Sequence, residues 1–142
     1  MSKGLIAKAS INISVSIAQV WDALTNPEVI KQYMFGAKVV SEWKEGSQIV
    51  WKGEWQGKAY EDKGLILKLE PKRLIQYSHF SPLSGLPDVP ENHHTVTIEL
   101  SGEGKQTLVS LSQDNNSNDQ DRKHSEKNWE VMLAGLKRIL EN

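Results

Sequence analysis

The sequence contains no cysteine, which excludes disulfides, thiol catalysis and cysteine-ligated metals together. It has no excess of either charge: 17 Lys and Arg stand against 18 Asp and Glu, for a formal net charge of −1. Without a basic surplus the chain lacks the means to bind phosphate backbones by counterion release. No Lys/Arg run marks a membrane-surface patch either. Long hydrophobic runs are missing too. Nothing approaches the roughly 18 apolar residues of a membrane span. The opening MSKGLIAKASINISVS holds only a short apolar trio where a signal peptide needs about 7–15 residues. These absences describe a soluble cytoplasmic protein, with neither nucleic acid nor membrane as partner. The 142 residues suffice for one sizeable core, read as one domain over 1–142.

What is present is patterned. LIAKASINISV alternates, with Leu5, Ala7, Ala9, Ile11, Ile13 and Val15 on one side, and predicts a strand with one buried face. Ser16 begins a capping box completed by Gln19. Ile17, Val20, Trp21 and Leu24 then follow at helical spacing. Asn26 and Pro27 break that helix and start another, with Asn26 as N-cap and Pro27 in the first position. Val29, Ile30, Tyr33 and Met34 form the second apolar stripe, and Gly36 ends it.

From Ala37 onward the signals are strands and turns. AKVVSEW, SQIVWKGEW, AYEDKGLILKL, RLIQYSHF, TVTIEL and QTLVSLSQ read as consecutive antiparallel strands. The turn before the last of them is placed at Ser101-Gly102-Glu103-Gly104. One connection is long: residues 81–94 hold Pro82, Pro87 and Pro90, three of the five prolines, and a loop of that length is usually functional. Leu83, Leu86 and Val89 suit a lid beside Met34 and Phe35. Residues 115–119, NNSND, read as a polar linker. The remainder predicts one long helix with Trp129, Met132, Leu133, Leu136 and Leu140 in a continuous stripe. About 23 residues at 1.5 Å each make it roughly 35 Å long.

The fold class is therefore α+β. A curved seven-stranded antiparallel sheet wraps a long C-terminal helix, and two short helices lie between the first two strands and cap one end. VWDALTNPEVIKQYM, GLILKLEPKRLIQYS, PENHHTVTIEL and NWEVMLAGLKRIL together resemble the START-like (SRPBCC) superfamily. This is the helix-grip group of birch-pollen-allergen-like proteins and polyketide cyclases. More narrowly, the chain is similar to bacterial proteins carrying the activator of Hsp90 ATPase homologue domain. That resemblance implies a cavity between sheet and long helix that holds an apolar or amphipathic small molecule. It implies no single reaction, because fold alone does not set function.

The residues expected to line such a cavity come from four places. Tyr33, Met34 and Phe35 end the helix pair. Trp51 and Trp55 share one face of a strand with Gly53 between them, and Tyr77 and Phe80 lie in RLIQYSHF. Trp129, Met132, Leu133 and Leu136 stand on the terminal helix. Periodicity does not assign which strand face turns inward, so core packing and outer cross-strand pairs remain alternatives. Glu54, Tyr60 and Asp62, with Glu61 and the nearby Tyr77, are weak catalytic candidates, since a carboxylate facing an apolar cavity can act as a general base. The ordinary reading of alternating charges on a sheet is a solvated face. His79, His93 and His94 sit near the long loop and His124 on the polar start of the last helix. Without cysteine, this spacing supports no metal, and no cofactor motif occurs. The leading function is small-molecule binding. The alternatives are a chaperone-associated partner of Hsp90 and a cyclase- or hydrolase-type enzyme, non-enzymatic binding being preferred. Monomer and homodimer are both open.

Overall fold

The computed structural model describes residues 5–34, 36–55, 57–82 and 85–141. Leu5–Ile13 forms β1, with Ala7 and Ile13 fully buried on the alternating inner face. Ser16 accepts from the Gln19 amide and the Gln19 side chain accepts from the Ser16 N–H, a capping box that opens α1, Ile17–Thr25. Asn26 Oδ1 accepts from the Glu28 amide at 3.0 Å and opens α2, Pro27–Tyr33. Gly36, at φ +81°, turns the chain away, and its amide donates to Lys31 O at 2.9 Å.

The other strands are β2 (Lys38–Ser41), β3 (Gln48–Trp55), β4 (Lys58–Glu70), β5 (Leu74–His79), β6 (His94–Glu103) and β7 (Gln106–Asn116), and α3 runs Asp119–Glu141. They make one seven-stranded sheet in the order β1-β7-β6-β5-β4-β3-β2, with every neighbouring pair antiparallel. This is the curved helix-grip sheet around a long terminal helix. Among the described residues no helix is long and apolar enough to cross a membrane.

Two boundaries differ from the sequence pattern. Ser101, Gly102 and Glu103 are not turn residues: they pair with Leu108, Thr107 and Gln106, leaving Gly104-Lys105 as a two-residue hairpin turn. Asn115 and Asn116 finish β7 rather than form a linker. Asn116 is buried because Leu5 O and Gln113 O accept from its amide at 2.9 and 3.0 Å, and its Oδ1 accepts from Ser125 Oγ at 3.0 Å. Those bonds satisfy a polar group that composition alone assigns to solvent.

Met132, Leu133 and Leu136 on α3 are buried in the core beside Ile13, Val20, Leu24, Ile30 and Tyr33. The helix pair packs on α3 where Gly135 lets Tyr33 approach, and Tyr33 Oη ties α2 to α1 through Ala23 O at 2.8 Å. Side chains of α3 also occupy the free edge of β1. Lys8 N donates to Glu126, Ser14 N donates to Glu141, and Lys137 Nζ donates to Asn12 O. Backbone groups that would template another strand are thereby satisfied.

At Gly64 the long β4 lies close against the β5 backbone. A Cβ there would stand 1.7 Å from the carbonyl oxygen of Ser78, so the close approach of β5 requires glycine. Ser78 Oγ accepts from Leu65 N at 3.0 Å in the same corner. Gly64→Ala is expected to destabilise the fold by about 3 kcal/mol or more, because backbone rather than a side chain must move. Calorimetry should find Tm lower by roughly 10 °C; a shift of only a degree or two would refute this account of the close approach.

Candidate functional site

The inward-facing row of each central strand is apolar until one end of the sheet, where it turns polar. On β5 the row reads Ile75, Tyr77, His79. On β6 it reads Leu100, Ile98, Val96, His94, and on β7 it reads Val109, Leu111, Gln113. On β4 it reads Ile66, Gly64, Asp62, Tyr60. The register brings these ends together, since Tyr77 pairs with Val96, His79 with His94, Val96 with Gln113, and Trp51 with Asp62. They surround a recess of about 200 Å³ whose walls include Met34, Trp51, Tyr60, Asp62, Tyr77, His79, His94, Gln113 and Trp129. An adjoining, more open hollow of about 340 Å³ shares Met34, Asp62, His79, Gln113 and Trp129 and adds Ser125, Asn128 and Met132. Deeper, a void of about 30 Å³ among Leu24, Ile30, Tyr33, Trp43 and Met132 is about the size of a single water.

Each polar group is positioned by a specific contact. His79 Nε2 lies 3.0 Å from Asp62 Oδ2, while Asp62 Oδ1 is buried without a hydrogen-bond partner among the described residues. The His79 ring meets Trp51 edge-on at 5.0 Å, and Trp51 leans on Tyr77 at 5.1 Å. His94 Nδ1 is 2.9 Å from Asp114 O; a carbonyl only accepts, so Nδ1 carries the proton and Nε2 keeps its lone pair in the neutral ring. Trp129 Nε1 donates to Gln113 Oε1 at 2.6 Å, which fixes the indole over the recess. Asn115, at φ +62°, donates to Glu91 O and His93 O. Asp114 Oδ1 accepts from Thr95 N at 2.6 Å, which locks the end of β6 beside β7.

Tyr60 lies across Gly53, whose missing Cβ would otherwise sit 2.5 Å from the phenol oxygen. Burial raises the Tyr60 pKa above the ordinary phenol value, and the charge of Asp62 raises it further. Burial also pushes Tyr77 up, and Tyr33 is raised by burial and then by Tyr77. All three phenols are uncharged donors at neutral pH.

The expected lining residues divide accordingly. Tyr33, Met34, Trp51, Tyr77, Trp129 and Met132 do line the hollows. Leu133 and Leu136 are fully buried core behind them. Phe80 faces the long loop instead, stacked on His93 at 5.0 Å. Phe35, the Trp55 side chain and Leu83 lie outside the described residues. Glu54 is parted from Tyr60 and Asp62: it pairs with Ala59 on the outer face and is exposed, because residues one apart on a strand point to opposite sides. No described residue of the loop before His94 lines the 200 Å³ recess. Asp88 pins the loop through Lys63 and His93, with Leu86 and Val89 left exposed.

Sequence reading missed His79, His94 and Gln113. The signal was there as a polar residue ending each apolar alternation. Among the described residues no group of three His, Asp or Glu side chains is placed to hold a metal.

The family model described as Activator of Hsp90 ATPase homolog 1-like protein matches residues 14–141. The chain belongs to that family. Among solved structures, this family member is similar to a solution structure from Cytophaga hutchinsonii at 60% identity, covering 100% of this chain and 97% of that one, with a TM-score of 0.87. The Aha1 dimer from Colwellia psychrerythraea is 23% identical over 96% of each chain, TM-score 0.75. A crystal structure from Nitrosomonas europaea is 19% identical over 99% and 97%, TM-score 0.77. These last two show the START-like fold alone. No curated protein matches the chain.

The buried phenols generate an alkaline prediction for this Activator of Hsp90 ATPase homolog 1-like chain. Their folded-state pKa values are raised, so their stability contribution is complete below the unfolded value, about 10, and is lost as pH rises above it. Tyr33 and Tyr77 should each remove up to about 1.4 kcal/mol of stability per pH unit there. Urea unfolding between pH 9 and 11.5 should show that decline, and Tyr77→Phe should flatten it. An unchanged slope in Tyr77→Phe would exclude the assignment.

Proposed function

We propose that this protein binds an apolar or amphipathic small molecule in the recess, with the apolar part against Trp51, Tyr77 and Trp129 and the polar part toward Asp62, His79 and Gln113. The observation that carries the reading is the recess itself, about 200 Å³ with aromatic walls and a few convergent polar groups at one end. That combination is characteristic of ligand sites. An apolar cavity of about 150 Å³ accepts benzene, so this recess suits a substituted ring or small bicycle. The adjoining hollow gives room for a tail.

Binding to the folded state alone raises stability by about 2.7 kcal/mol when ligand stands at a hundred times its Kd. For a chain of this size that is a Tm increase of roughly 5–10 °C. A thermal-shift panel of small aromatic amphiphiles should contain compounds reaching that increase, and native mass spectrometry should find them bound one to one. Met34 is half-buried and lines all three hollows. Met34→Arg should therefore weaken binding at least about tenfold, 1.4 kcal/mol, in a protein that still folds. A flat panel, or equal affinity in Met34→Arg, would overturn the proposal.

A further inference from the structure

The described walls of the recess carry a carboxylate and neither Lys nor Arg. Asp62 is the single carboxylate on its walls, and among the described residues neither Lys nor Arg lines it or the adjoining hollow. The Asp62 side chain is only 15% exposed. Its sole hydrogen-bond partner among the described residues is His79, an imidazole that need not carry charge. A carboxylate so far removed from water gains from any cation that reaches it. Lys63, the nearest Lys in sequence, is taken up outside the recess by Asp88.

Two neutral polar groups, His94 and Gln113, also offer acceptors. His94 presents a lone pair at Nε2, since its Nδ1 proton is committed to Asp114 O. Gln113 Oε1 faces the Trp129 N–H and, as a carbonyl, has a second acceptor position. Trp51, Tyr60, Tyr77 and Trp129 supply four electron-rich rings on the walls. Aromatic walls around a carboxylate are the chemistry that recognises organic cations.

Resting on the binding reading above, we infer that the ligand is an aryl-alkyl amine held as its ammonium, with the charged nitrogen at Asp62 and the ring among Trp51, Tyr77 and Trp129. Burial is the larger cause that keeps the Tyr60 phenol neutral, and the Asp62 charge that adds to it also favours an ammonium nearby. An anionic ligand would meet a buried carboxylate with neither Lys nor Arg among the described lining residues to offset it.

The test is a charge series of matched size, titrated calorimetrically into the full chain at neutral pH: 2-phenylethylammonium, 2-phenylethanol and 3-phenylpropionate. The ammonium should bind about tenfold tighter than the alcohol, 1.4 kcal/mol, and the carboxylate weakest. In Asp62→Asn the ammonium-to-alcohol affinity ratio should fall toward one. Alcohol binding as tight as ammonium, or the carboxylate binding best, would overturn the cation inference and leave small-molecule binding standing. So would a ratio unchanged by Asp62→Asn. No binding by any of the three at millimolar concentration would count against both. The wild-type series decides the matter even where Asp62→Asn folds poorly.

Discussion

One helix has to cover one sheet, and its apolar stripe is shorter than the helix. α3 spans residues 119–141, yet its buried positions begin only at Met132, with Trp129 half-buried one turn earlier. The preceding turns carry Asp119, Arg122, Lys123 and Glu126, which pair among themselves or with the β1 backbone. A polar helix surface supplies no apolar cover for that end of the sheet. The strands opposite that polar half end in Asp62, His79, His94 and Gln113, and the space between them stays open.

The rest of the architecture serves that gap. Trp129 stands at the boundary between the polar and apolar halves of α3, and its bond to Gln113 holds the ring across the opening. Asn116 binds β1, β7 and α3 at the same end. Asn115 and Asp114 hold the loop end and the start of β6. Polar residues that look like a linker in the sequence act as the clamp beside the recess. The site thus stands on strands and a helix, where backbone hydrogen bonding restricts motion more than in a loop.

Much of the fold was legible because it rests on local chemistry. The Ser16–Gln19 capping box and the Asn26-Pro27 corner depend on neighbours three residues away. Strand alternation and the α3 stripe depend on fixed periods of 2 and 3.6. Boundaries set by distant partners were not legible. Asn116 became a strand residue because Leu5 and Ser125, both remote in sequence, satisfy its amide. Gly102 of β6 pairs with Thr107 of β7 although its residue type favours a turn.

The candidate site divides in the same way. Trp51, Tyr77, Trp129 and Met132 were identifiable as apolar residues on periodic faces. Glu54 and Tyr60 looked alike as polar residues of one hairpin, and only the register sent one to solvent and the other to the recess. By itself the sequence determined the order of elements, the helix caps, the single covering helix, the absence of thiols and the near balance of charge. Each is a property of composition or of residues a few positions apart. The tertiary structure alone decided that Asp62 meets His79 across 17 positions and that Trp129 meets Gln113 across 16. Such contacts depend on how strands twist and register around α3, which no local period encodes.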